Sequence, residues 1–179
     1  MIKSITALSC LLCLGSASLF ADFVPNSDDS QELEVATAII NLKEKDPGIQ
    51  RFFDDSAGYA VFPSVGKGGI GIGGAFGEGL VIVDDMVVGH TELTQLSIGL
   101  QLGGQVYSEF IFFKDEVALG DFQRGNFELG AQASAVAVDA GASADADYSK
   151  GVAIFTQAGG GLMFEASVGG QKFDYTAKE

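Results

Sequence analysis

Tryptophan is absent from this 179-residue chain, histidine occurs once and proline three times. Both cysteines, Cys10 and Cys13, fall within the first 21 residues. A chain cut after that segment has no thiol, which excludes a disulfide framework and a thiolate metal site. Positive charge is scarce too: ten Lys and Arg stand against 24 Asp and Glu, a formal charge of −14. Nucleic acid binding depends on Lys and Arg neutralising phosphates, so nucleic acid is excluded as a general partner.

What is present begins with a leader. Lys3 precedes the apolar run 5–14 and small residues follow, the pattern of a signal peptide over residues 1–21 with cleavage after Ala21. The run is far short of the ~20 apolar residues that a spanning helix needs. Export is therefore expected, to the periplasm or beyond, with attachment to the envelope left open. Ser9 before Cys10 meets the lipoprotein pattern only in part. Losing Lys3 with the leader takes the charge from −14 to −15 and leaves about 158 residues, one domain's worth.

A polar lead over 22–29 precedes a helix whose start is marked by Asp29 and Glu32 at capping-box spacing. Leu33, Ala36 and Ile40 share one face, widened by Val35, Ile39 and Leu42, so the helix is expected to cover a sheet. Asp46 and Pro47 cap a second short helix with Ile49, Phe52 and Phe53 facing inward and Gly58 ending it. Core packing is the favoured role for these aromatics over membrane insertion.

From Tyr59 the apolar period changes to two. Strands are predicted over 59–63, 68–76, 79–83, 86–88, 93–102, 106–113, 128–140, 151–156 and 161–168, with a helix or turn at 115–123. Consecutive strands without intervening helices predict a β-rich α+β fold, in which N-terminal helices pack on a curved antiparallel sheet or partly closed barrel. Within it, 58–80 reads GYAVFPSVGKGGIGIGGAFGEGL. Glycine inside a strand costs backbone entropy and packing, so its density here predicts a bend or the close approach of another backbone or a ligand.

That glycine-rich stretch resembles the opening of the SYLF domain family of lipid-binding proteins. GGQVYSEFIFF at 103–113, YSKG at 148–151 and GLMFEASVGGQKF at 161–173 resemble its later blocks in order. The resemblance implies one SYLF-like domain over 30–176 and lipid binding without catalysis. Eukaryotic members of the family are cytosolic, bind phosphoinositides and are associated with actin patches, whereas bacterial members are typically exported. The expected export and the lack of a long basic stretch argue against actin and phosphoinositides for this chain.

Motifs of chemistry are few. Gly69, Gly71 and Gly74 satisfy GxGxxG, but a strand continues where a dinucleotide site needs a helix. Gly66 and Lys67 lack the spacing of a phosphate loop, and His90 has no nucleophile-elbow sequence to serve. Asp84, Asp85, Asp54, Asp55, Asp139, Asp145 and Asp147 offer hard oxygens without matching a calcium loop, and Asp84–Asp85 suit a hairpin turn better. No cofactor and no metal are expected. The stretch 131–146, rich in Ala, Ser and Gly, is either an inner strand or a ligand cover.

The site expected from these residues is a lipid headgroup pocket. Lys67 and Lys150, with the backbone N–H groups of Gly68 and Gly69, would hold a phosphate, and Phe62, Ile72 and Phe76 would supply apolar contact. The expected partner is a phospholipid, another amphiphile or the membrane surface, with an envelope protein partner as the alternative. A small outer-membrane barrel also fits export and alternation, but lacks an aromatic girdle.

Overall fold

The computed structural model describes residues 23–99, 104–125, 127–130, 133–159 and 168–179, and the side chains of 70–72 and 97–99 lie outside that description. The expected leader and all but the last residue of the strand expected at 161–168 also fall outside it. Helix α1 runs Ser30–Lys45, capped by Asp29, whose side chain accepts the N–H groups of Gln31 and Glu32 at 2.9 and 3.1 Å. Its buried face is Val35, Ala38, Ile39 and Leu42. Leu33 and Ile40 are exposed at 42% and 56%, which corrects the expected face: the i, i+3, i+4, i+7 set starts at Val35 and leaves those two on the flank.

A single 3-10 turn, Pro47–Ile49, and helix α2, Gln50–Asp55, follow. Asp46 caps the turn through Gly48 N–H at 3.1 Å. Phe52 packs against Phe112, Phe155 and Tyr148 with centroids 4.8 to 5.6 Å apart, and Phe53 packs edge-on against Phe112 and Tyr59. Those aromatics are core. Gly58 does not end the helix, which stops at Asp55, but opens the first strand.

Among the described residues one sheet has seven strands. They are β1 Gly58–Val83, β2 Met86–Gly99, β3 Gly104–Phe113, β4 Phe127–Glu128, β5 Val136–Ala137, β6 Val152–Ala158 and β7 Gln171–Ala177, with helix α3, Glu116–Gln123, after β3. Their order is β4-β7-β2-β1-β3-β6-β5, and every pairing is antiparallel except β5 with β6. Asp84 and Asp85, at φ 49° and 60°, make the two-residue turn between β1 and β2, the left-handed pair that suits tight hairpins.

Three expected strands have fused into the 26-residue β1, and two into β2. Glycine did not interrupt β1; it let the strand bend. The first half pairs with β3 from Gly58↔Phe113 to Gly68↔Gly104, the second with β2 from Gly71↔Gly99 to Val83↔Met86. The ladder shifts register between Phe62 and Val65, where Pro63 cannot donate. Curling brings the two halves face to face. A Cβ on Gly79 would lie 2.5 Å from the carbonyl oxygen of Val61 and 2.7 Å from the Phe62 ring.

Beneath the helices the curled sheet is buried on both faces. Inside lie Phe62, Val65, Ile111, Phe113 and Phe173, plugged by Leu119 and Phe122 of α3. Outside, α1 and α2 cover Val61, Leu80, Ile82, Phe110, Phe112 and Phe155.

Candidate functional site

The expected site residues separate into two regions at opposite ends of β3. Lys67 pairs with Gln105 at the start of that strand, while Lys150 stands just before Val152, which pairs with Phe113 at its finish. Eight residues of strand, about 26 Å when extended, separate the backbone positions of the two lysines. They do not form the expected headgroup clamp.

At the glycine-rich end, alternation along β1 sends Lys67 inward after Val65 and leaves it half-buried. Gly68 pairs with Gly104, and Gly69 has a φ of 155°, open to little besides glycine. Phe62 is fully buried and packs on Phe173 at 5.6 Å, so it supports the core and is unavailable to a ligand. Phe76 points outward and is 50% exposed, beside Leu96 at 87%. Phe76 pairs with Thr94 and Gly74 with Leu96, which puts both apolar side chains on the same outer face, along a groove of about 630 Å³ that Lys172 also lines. Of the expected apolar contacts, Ile72 alone has a side chain outside the described residues.

Inside this end sits a polar group that periodicity did not single out. Glu109 is fully buried, and its Oε2 accepts from Gln171 Nε2 at 2.9 Å; the same amide reaches Tyr107 Oη at 3.3 Å. Burial pushes the Glu109 carboxyl up to about 8, against the smaller opposing pulls of the Gln171 bond and the Lys67 charge. Burial likewise lowers Lys67, with Glu109 opposing, and raises Tyr107, with Glu109 adding to it. The one signal available in sequence was a glutamate within the otherwise apolar run of β3, YSEFIFF.

The other region is a cleft of about 530 Å³ between β6 and the strap that leads to it. The described parts of the strap, 129–130 and 133–150, are neither the expected long strand nor a loose cover. β5 adds two parallel pairs to β6, Val138 and Ala135 are buried, and Ser143 is tied down. Asp46 Oδ2 accepts Ser143 N–H at 2.7 Å, and Arg51 donates to the carbonyls of Ser143 and Ala146 at 2.6 Å. Leu129, Phe127, Val136 and Ile154 give the cleft apolar walls. Lys150 and Asp147 supply its charge. Lys150 holds a left-handed φ of 52°, which costs a non-glycine residue about 1 kcal/mol. It makes no hydrogen bond or ion pair among the described residues.

His90 is exposed, with Nδ1 3.2 Å from Gln31 Oε1. Among the described residues no three His, Cys, Asp or Glu side chains are grouped to hold a metal. No helix among them is long and apolar enough to cross a membrane.

Comparison with known proteins adds two findings. Residues 94–178 match the family described as Las17-binding protein actin regulator, Ysc84. The protein called Beta cell expansion factor A from Aeromonas veronii is 31% identical over 139 residues, which cover 76% of this chain and 52% of that one. The chain thus spans about half the length of that relative.

Proposed function

Through residues 94–178 the chain belongs to the Ysc84 (SYLF) family, and from that premise we propose that it is an exported, nonenzymatic module that binds a phospholipid or another amphiphile at the cell envelope. The cleft beneath the strap carries this reading. Its volume of about 530 Å³ falls in the range that holds a small ligand, and apolar walls with few convergent polar groups are the usual makeup of such sites. An acyl chain would lie against Leu129 and Ile154, and Lys150 would face an anionic head. Phe76, Leu96 and Lys172 offer a second contact, where the outer face of the sheet meets a lipid surface.

Two alternatives have weaker support. An outer-membrane barrel turns its apolar side chains to the lipid and its polar ones to the lumen. Here phenylalanines fill the inside and helices lie over much of the outside. Actin is named in the family's description, yet an exported chain would not meet it. An envelope protein partner remains the competing class.

The test is flotation of the purified, folded protein with vesicles of phosphatidylcholine, alone or with phosphatidylglycerol, over a salt series. Binding to both compositions is expected, weakened about fivefold in Lys150→Ala, since one such charge contributes on the order of 1 kcal/mol. An Ile154→Trp protein with a filled cleft should lose more. If the folded wild type floats with neither composition, the protein is an interaction scaffold. Binding that tracks lipid charge alone and vanishes in salt would also sink the cleft.

A further inference from the structure

Strands β3 and β7 are not neighbours, because β1 and β2 lie between them in the sheet. They meet across the inside of the curl, and the Gln171 amide is what joins them there, through Glu109 at 2.9 Å and Tyr107 at 3.3 Å. All three side chains are buried, with 1% or less of their surface exposed. Among the described residues, Glu109 Oε1 and Gln171 Oε1 have no hydrogen-bond partner. A fully buried carboxyl with one of its two oxygens unbonded is tolerable when neutral and very costly when charged.

We propose that this bridge is a proton-held clasp: neutral Glu109 keeps the glycine-rich end of the curl shut, and loss of its proton parts β3 from β7 at that end. The groups facing Glu109 explain why ionisation has no cheaper remedy. From β1 comes Lys67, the one cation, itself half-buried. From β3 comes Tyr107, and from β7 and β2 come Gln171 and its ladder partner Gln95, amides without charge. Among the described residues no second cation faces it.

Packing explains why the relief is local. At this end a Cβ on Gly66 would meet nothing within 4 Å, and one on Gly104 only a carbonyl at 3.9 Å. At the other end a Cβ on Gly58 would strike Val83 at 2.9 Å and the Ile82 carbonyl at 3.0 Å. That openness is on the outer face, where Phe76, Leu96 and Val106 are exposed, while a Cβ on Gly77 would lie 2.9 Å from Val65 inside, so the relief is a local parting below the cost of global unfolding. Burial holds the Glu109 proton up to about 8, so the clasp is shut at neutral pH and released in mild alkali. None of this depends on the amphiphile reading, although the cleft adjoins the clasp at Leu129, whose N–H donates to the Gln171 carbonyl at 2.9 Å.

Hydrogen exchange of the whole protein between pH 6 and about pH 9.5, corrected for intrinsic rates, tests the clasp. The amides of Tyr107, Glu109 and Phe173 should lose about tenfold in protection as Glu109 ionises, while those of Ala60, Phe112 and Ile154 hold. Glu109→Gln, which keeps the shape without the proton, should be flat. Lys67→Met should move the transition to higher pH, because Lys67 favours the charged form. An unchanged pH profile in Glu109→Gln overturns the proposal, as does equal loss at both ends. Should Glu109→Gln fail to fold, an unmoved transition in Lys67→Met is equally decisive.

Discussion

The two ends of the curl are made from the same strands and are built on opposite terms. At the closed end, Gly58–Phe62, Phe110–Phe113 and Val152–Phe155 are sandwiched between α1 and α2 outside and α3 inside. Phe52, Phe53, Tyr59, Phe112 and Phe155 form one aromatic cluster there, with centroids 4.8 to 5.9 Å apart. At the glycine-rich end the outer face is bare at Phe76, Leu96 and Val106, and the inner face carries Glu109 and Gln171. Stability is thus concentrated in one half of the strands. The other half is left free to bend, to meet a surface and to respond to protons.

The largest effect that should separate the ends is loss of an aromatic ring from each. Phe112→Ala at the closed end is expected to cost about 3–5 kcal/mol, the usual range for a buried ring. Phe76→Ala at the other end should change stability by no more than about 0.5 kcal/mol. Denaturant midpoints measure both. Comparable losses would mean that the glycine-rich end is as firmly packed as its counterpart, and the contrast would collapse.

Glycines give the next test. Gly79→Ala drives a methyl group into the Val61 carbonyl and the Phe62 ring where the halves of β1 touch, at an expected cost of about 1–3 kcal/mol. Gly66→Ala meets nothing and keeps negative φ, so it should be neutral or stabilising by up to about 1 kcal/mol. If both are tolerated, β1 has more room to straighten than its contacts allow.

These residues also show how far the sequence reached. The period-two apolar pattern predicted the β-rich α+β fold, because alternation follows directly from two chemically different faces. The capping signals at Asp29 and Asp46 predicted helix starts, because a cap is local. Continuity of β1 through its glycines was hidden, since a bend and a break leave the same composition and only the close approach of Val61 to Gly79 tells them apart. Strand β7 was missed because polar Gln171, Lys172 and Asp174 mask the alternation of an edge region. The pairing of Lys67 with Lys150 failed for want of register: each lies beside a genuine feature, but topology puts β3 lengthwise between them. Glu109 and Gln171, 62 residues apart, meet only because the sheet curls.

The smallest expected effect sharpens the comparison most, since each end buries one glutamate. Glu32, near the start of α1, accepts Asn26 N–H at 2.8 Å and the Lys178 ammonium at 2.9 Å, which ties the C-terminal strand to the helix. The backbone bond from Asn26, then the bond to Lys178, outweigh burial and hold its carboxyl below the ordinary 4.5. A depressed value gives stability that is present above pH 4.5 and lost as pH falls through the folded-state value. Glu32→Gln should therefore cost about 1 kcal/mol at pH 7, because Lys178 is partly in solvent, and its deficit should shrink in acid. Glu109 runs the other way. Its raised value gives stability that is fully present below 4.5 and declines until pH reaches about 8, so Glu109→Gln gains on the wild type across that window. Melting both variants against the wild type from pH 3 to about pH 9 puts the two slopes on one axis. Slopes of the same sign would mean that the ends share one electrostatic design. Opposite slopes follow if one glutamate is satisfied as an anion and the other is kept as an acid.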